Sequence, residues 1–195
     1  MAKHTSGRRG LRRREKETGA VLVEFALVVP LLFLILFGII DFSLVMFSYI
    51  SVRQGTSAGA REAAVIGTTT LSAQSCTMAP LITSGASTDA TNLLCYTKNH
   101  IGLNPAKTRV SIWFSTTGCN SVSGQPQPCY SPGVPVIVCT QYPASSTTHF
   151  FSSLLNNVVL TSKVEIRVEN ADATMTPAQE TTLNGSPWPS SCSTP

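Results

Sequence analysis

A continuous apolar segment of 21 residues, Ala20 to Ile40, constrains this chain more than any other feature. Its length matches the roughly 20 residues that a helix needs to cross a bilayer. The preceding residues 1–19 hold seven Lys and Arg side chains against Glu15 and Glu17. Because positive charge beside a span stays in the cytoplasm, we expect a single membrane-spanning helix with a cytoplasmic N-terminus and an outward-facing remainder.

Glu24 lies inside this apolar segment and does not suit an ordinary span. A carboxylate in the membrane costs about 2.5–3.5 kcal/mol on insertion scales, so an ionisable residue there indicates a function. If the chain is cut between Gly19 and Ala20, the new ammonium of Ala20 lies one helical turn from Glu24. In an assembly of such helices, Glu24 can instead pair with the terminus of a neighbour.

A cleavable secretory signal peptide is the main alternative for this N-terminus. The apolar core of such a peptide is about 7–15 residues long and ends at a small-residue cleavage site. Here the apolar segment is longer, and the Ala58–Ala60 pattern comes far too late in the chain. The sequence therefore favours a retained helix.

The basic leader, Gly19, and Glu24 at the fifth position after Gly19 resemble the type IV prepilin signal. More narrowly, the chain is similar to the TadE-like family, which are minor pseudopilins of the tight-adherence (Tad, or Flp) pilus system. The features that carry the similarity are Glu24-Phe25, Pro30, the run Leu31–Ile40, Asp41-Phe42, Arg53, the small-residue stretch 57–64 and, loosely, residues 160–169. The resemblance implies cutting by a prepilin peptidase and assembly, through Glu24 and Phe25, with other pilins or pseudopilins and the Tad secretion machinery.

Apolar and then small residues continue the helical pattern past Ile40. We expect one helix from Ala20 to Val65, kinked or loosened near Pro30. At about 1.5 Å per residue it is on the order of 70 Å long, twice the hydrocarbon thickness of a bilayer. Its outer half therefore needs a protein surface to pack on. Asp41 either faces water at the membrane boundary, which we favour, or is buried against a partner helix.

The rest of the chain predicts a small α+β domain. The pattern indicates a loop at Thr68–Thr91 and two short helices at Thr91–Ile101 and Thr148–Asn156. It also indicates three strands, at Val110–Phe114, Val134–Tyr142 and Lys163–Glu169, and a loose tail at Ala171–Pro195. The predicted fold class is thus α+β, with the long N-terminal helix packed on a small antiparallel sheet of three or four strands. The expected organisation is a disordered cytoplasmic leader at 1–19, a transmembrane and extended helix at 20–66, and an extracytoplasmic domain at 67–195.

All six cysteines follow the apolar segment, on the side where disulfides form. The sequence has no Cys-x-x-Cys pair, and His100 and His149 lack a spacing that suits zinc, so we expect no metal site. Six cysteines allow 15 pairings. We predict Cys76–Cys95 and Cys119–Cys129, which leaves Cys139 to bond the tail at Cys192.

No known catalytic motif is present: the sequence has no nucleophile elbow, phosphate loop, zinc-protease motif or dinucleotide fingerprint. We therefore expect a protein that is not an enzyme and holds no cofactor. The net charge of +4 belongs to the leader, so the outer domain has no basic surface for nucleic acid. The leading hypothesis is a pilus subunit of the inner membrane or of a surface pilus. The alternative is an uncleaved single-pass membrane protein whose outer domain binds a ligand or partner.

Overall fold

The structure, a computed structural model, describes residues 11–66, 75–82, 85–114, 130–146, 148, 151–155, 158–170, 175–181, 183 and 187–192. The chain divides into two compact units, Met1–Ser43 and Leu44–Pro195, which we call the N-terminal unit and the outer unit. The predicted α+β fold, with a long N-terminal apolar helix and a small antiparallel sheet, is confirmed.

Helix α1 spans Leu11–Val65 and includes Pro30 without a break. It begins nine residues before the predicted start, so the prediction of a disordered leader is wrong for residues 11–19. Leu, Arg, Glu and Lys dominate that stretch and are good helix formers, and extending an existing helix is easier than starting one. Residues 1–10 lie outside the described part.

Helix α2 spans Thr88–Ile101, three residues longer than predicted at its N-terminus. The Ser87 hydroxyl accepts a hydrogen bond from the Ala90 amide, 3.2 Å away, and so caps the first turn. Gly102 ends the helix with a φ of 67°, in the left-handed conformation that glycine adopts at least cost.

In the part of the chain that the structure describes, four antiparallel strands form one sheet in the order β3-β2-β1-β4. They span β1 Arg109–Phe114, β2 Pro135–Pro143, β3 Val159–Arg167 and β4 Ala178–Gln179. The first three confirm the predicted strands to within a few residues. Helix α3, Ser152–Leu155, precedes β3 inside the range predicted as a short helix.

The two faces of the sheet are covered by different parts of the chain. Val110, Ile112 and Phe114 of β1 lie in the main core with Ala60 and Ala63 of α1, as expected for a sheet resting on the outer half of that helix. The opposite face holds a smaller cluster. Its buried members are Ile137, Cys139 and Cys192, with Trp113 and Trp188 packed against them.

Helix α2 approaches α1 closely at two glycines. A Cβ atom on Gly55 would lie 2.7 Å from both the Cα and N atoms of Ile101, and one on Gly59 would lie 2.9 Å from Thr97 Cγ2. Both distances are shorter than real Cβ contacts allow. The glycines therefore set the distance between the helices, a role of Gly55 that the sequence analysis did not identify.

Gly55→Ala is expected to destabilise the outer unit by about 1–2 kcal/mol. Alanine raises helix stability by about 1 kcal/mol, but its methyl group must displace the α2 backbone, and overpacking costs typically 1–3 kcal/mol or more. Denaturant unfolding of the full-length protein in detergent measures the difference. Ser57→Ala, at a half-buried position on the same helix, is the control and should lose nothing. An unchanged or raised stability of Gly55→Ala would contradict this close approach.

The C-terminal carbonyls of α1 find partners in the outer unit. The Tyr130 hydroxyl donates to the Ala63 carbonyl. The Glu169 and Asn170 amides donate to the Ala64 carbonyl at 2.9 and 3.2 Å. Because the last carbonyls of a helix have no partner within it, these bonds fix where α1 ends against the segment after β3.

Two of the predicted disulfides are confirmed. Cys76 bonds Cys95 of α2, with Cα atoms 5.3 Å apart. Cys139 of β2 bonds Cys192, with Cα atoms 5.8 Å apart. The predicted Cys119–Cys129 bridge lies outside the described residues.

The prediction of a loose tail between Ala171 and Pro195 is wrong for its described residues. Strand β4 pairs with β1, and Glu180 forms an isolated bridge with Leu81. The Trp188 indole N–H donates to the Glu180 carbonyl at 3.0 Å. The polar, proline-rich sequence of this segment did not predict these contacts, because they are made with residues far away in the chain.

Candidate functional site

Gly19 and Ala20, the predicted processing site, lie within α1 and are exposed. No atom lies within 4 Å of the position that a Cβ on Gly19 would take. The small size of this residue is therefore not needed for packing within the chain.

Glu24 and Phe25, the predicted assembly residues, are also exposed, Phe25 by 65 %. Together with Val21 and Val28 they line a shallow groove on one face of α1. Ala20 and Glu24 are four residues apart, so their side chains project from the same helix face. The carboxylate is thus presented on an apolar surface, where it is available to another chain.

The predicted span, Ala20 to Ile40, has no protein cover within its own unit. Its large apolar side chains are mostly 40–75 % exposed, and the most apolar window of the helix has no buried residue. The helix is long and apolar enough to cross a membrane.

Asp41, at the end of the predicted span, is only 2 % exposed. The prediction that it faces water is therefore wrong, because a side chain so little exposed is not solvated. The alternative, that Asp41 is buried against the helix of a partner chain, stays a prediction.

The outer half of α1 has one exposed face. The side chains that line a groove on this face are Tyr49, Ile50, Arg53, Gln54, Ser57, Ala58 and Arg61. Arg53 and Arg61 are exposed, whereas Val52, Thr56 and Ala60 on the other side of the helix are buried in the outer unit. The face thus combines an apolar end with two guanidinium groups.

A buried ion pair joins four segments of the outer unit. Lys98 Nζ lies 2.5 Å from Glu180 Oε1, and both side chains are fully buried. Lys98 also donates to the Thr77 carbonyl at 3.1 Å. The Glu180 carboxylate accepts from the Ala79 and Val110 amides, each at 2.8 Å.

Burial lowers the pKa of the Lys98 ammonium below its ordinary value of 10.5, and the hydrogen bond and charge of Glu180 oppose that shift. The ion pair between Lys98 and Glu180 was not predicted from the sequence, although one signal for a buried Lys98 was available. Lys98 shares the helical face of Leu94 and Ile101, which are core residues. The arrangement is enclosed and its polar atoms are satisfied, so it holds the domain together instead of binding a ligand.

Nothing in the described part of the chain suggests catalysis or metal binding. The described residues include no cluster of three His, Cys, Asp or Glu side chains that could hold a metal ion. His149, which the sequence places among Ser and Thr residues, lies outside them. The N-terminal groove at Glu24 and the exposed face of the outer half of α1 are candidate binding surfaces in the described part of the chain.

The model of the TadE-like protein family matches residues 19–61. Comparison with curated proteins gives no match, and neither does comparison with solved structures. The predicted resemblance is therefore confirmed over this segment, which fits a TadE-like protein of the Tad pilus system. The matched residues begin at Gly19 and include Glu24, Phe25 and Arg53.

Proposed function

We propose that this chain is a minor pseudopilin of a Tad pilus, cut by a prepilin peptidase between Gly19 and Ala20 and assembled through its N-terminal helix. The observation that carries the proposal is an exposed apolar helix bearing the Glu24 carboxylate, within a segment that matches the TadE-like family. Such a helix needs neighbours of its own kind when it leaves the lipid. Its role is structural, in pilus assembly and adhesion.

Charge and redox chemistry support the proposed orientation. The seven basic residues of 1–19 keep the N-terminus in the cytoplasm, which leaves the outer domain on the far side of the inner membrane. Disulfides such as Cys76–Cys95 and Cys139–Cys192 persist in such an oxidising compartment and are rare in the cytoplasm. These two properties agree on a single-pass topology.

Glu24 would act in two steps of this process. In the membrane it lies near the cytoplasmic end of the helix, where the cost of a carboxylate is lower than at the centre. After cutting, the ammonium of Ala20 and the Glu24 carboxylate would become partners within one chain or between neighbours. A buried charge pair of this kind fixes the position of one helix against its neighbour, because either charge is costly to bury without its partner.

Gly19→Leu should leave only the uncut chain. A peptidase that accepts glycine at this position would meet four extra carbon atoms, whereas the helix itself has open space there. N-terminal sequencing of the membrane-extracted protein measures the outcome, with the wild-type chain expected to begin at Ala20. Thr18→Leu is the matched control and should still be cut. If Gly19→Leu is still processed at the same bond, the proposal of a prepilin peptidase is wrong. If the wild-type chain keeps residues 2–19, the uncleaved single-pass alternative is correct.

A further inference from the structure

The apolar surface of α1 continues well past the predicted span. Exposed large apolar side chains run from Val21 to Ile50, about 30 residues, or on the order of 45 Å at ~1.5 Å per residue. The hydrocarbon core of a bilayer is about 30 Å thick. The exposed apolar surface is therefore longer along the helix than this core is thick.

A whole bilayer, with its headgroup layers, is about 40–45 Å thick. This thickness matches the apolar surface, and it places the stretch from Leu44 to Ile50 in the outer headgroup layer. Tyr49 lies at the end of that stretch and is 38 % exposed. Tyrosine is enriched at this level of membrane proteins, because its ring is apolar and its hydroxyl is polar.

The charges on the same face all have one sign. Arg53 follows Tyr49 by one helical turn, and both line the groove that ends at Arg61. The sequence from Leu44 to Arg61 contains no Asp or Glu, and Glu62 is half-buried. An exposed guanidinium beside an apolar surface suits a phosphate group, with which it makes paired hydrogen bonds.

We propose that this groove binds the headgroup of an anionic phospholipid. The lipid phosphate contacts the Arg53 guanidinium, and the glycerol and upper acyl chains lie on Tyr49 and Ile50. Arg61 is eight residues further along the helix, about 12 Å, which exceeds the screening length of about 8 Å at physiological salt. Arg61 therefore contributes little. The inference rests on the membrane-anchored state in the proposed function, and on neither cutting nor pilus assembly.

The first test compares two lipids on the full-length protein in detergent. Native mass spectrometry counts bound phosphatidylglycerol and phosphatidylcholine in separate titrations. We expect tighter binding of phosphatidylglycerol by the wild type and a roughly 5-fold loss in Arg53→Gln, equivalent to about 1 kcal/mol for one basic residue at an anionic surface. Arg61→Gln, the matched control, should change less than about 2-fold. Equal losses in the two variants, no loss in Arg53→Gln, or no preference in the wild type overturns the proposal.

The second test measures depth in the bilayer. Tyr49→Trp is reconstituted with lipids brominated either high on the acyl chains or near their ends, and wild-type protein gives the background from Trp113 and Trp188. The introduced tryptophan should be quenched more by the upper bromines. Absence of quenching would place this surface outside the bilayer, against a protein partner. Alkaline carbonate extraction separates the two failures: release from membranes overturns the anchored state itself, whereas retention without quenching overturns only the headgroup site.

Discussion

Glu180→Gln should destabilise the outer unit by about 3–5 kcal/mol, the usual cost of removing one partner from a buried ion pair. The Lys98 ammonium would stay fully buried, with the Thr77 carbonyl as a remaining neutral acceptor. Both oxygens of the carboxylate accept hydrogen bonds, Oε1 from the Ala79 amide and Lys98, and Oε2 from the Val110 amide. The amide of glutamine has only one acceptor oxygen, so at least one of these bonds is lost. Since small domains are stable by about 5–15 kcal/mol, such a loss brings the unit close to unfolding.

The pH dependence of this loss identifies its cause. A lysine whose pKa is lower in the folded protein than in the unfolded chain penalises folding below its ordinary pKa of 10.5, and the penalty shrinks as the pH rises towards that value. Removal of Glu180 strengthens the downward shift. The deficit of Glu180→Gln against wild type should therefore be larger near pH 7 than near pH 10, as measured by denaturant unfolding at both.

A surface pair provides the control. Lys163 Nζ and Glu165 Oε2 are 3.6 Å apart, with side chains 31 % and 49 % exposed. Glu165→Gln removes the same charge in water and should cost at most about 1 kcal/mol. Equal effects of Glu165→Gln and Glu180→Gln, or a deficit that does not change with pH, would show that the buried charge is not what matters.

Local patterns predicted most of the fold. Alternation of polar and apolar residues located β1 and β3, a β-branched run between turn residues located β2, and the apolar run located α1. The pairing of Cys76 with Cys95 was also predictable, because both flank a short segment that such a bridge can close. These features depend on neighbours in sequence, which is the information that a single chain provides.

The features that were missed depend on distant partners. Strand β4 has two residues and gains order by pairing with β1, while the ion pair at Glu180 joins residues separated by 82 positions. The role of Gly55 depends on where α2 crosses α1. No periodicity marks such contacts. The assembly role of Glu24 and Phe25 stays a prediction, which rests on the unusual position of a carboxylate in an apolar run.

Glu24→Ala should abolish incorporation into pili while leaving the protein abundant, inserted and cut. Removal of the carboxylate lowers the cost of insertion, by up to about 2.5–3.5 kcal/mol at the centre of a span, so membrane entry cannot suffer. Glu24 is exposed and its unit does not bury it, so folding should not suffer either. In the assembly, however, the terminal ammonium of Ala20 would be buried without a counter-charge, at a typical cost of several kcal/mol.

Three measurements on cells separate these steps for Glu24→Ala: immunoblotting for abundance, N-terminal sequencing for cutting, and electron microscopy for pili. Val21→Ala is the matched control, because Val21 lines the same groove and is 63 % exposed but carries no charge. It should leave pilus formation intact. Glu24→Gln adds a stricter comparison, since it keeps the shape of the side chain and removes only the charge. Normal pili in Glu24→Ala would show that the carboxylate has no part in assembly, and normal pili in Glu24→Gln alone would assign its role to hydrogen bonding instead of charge.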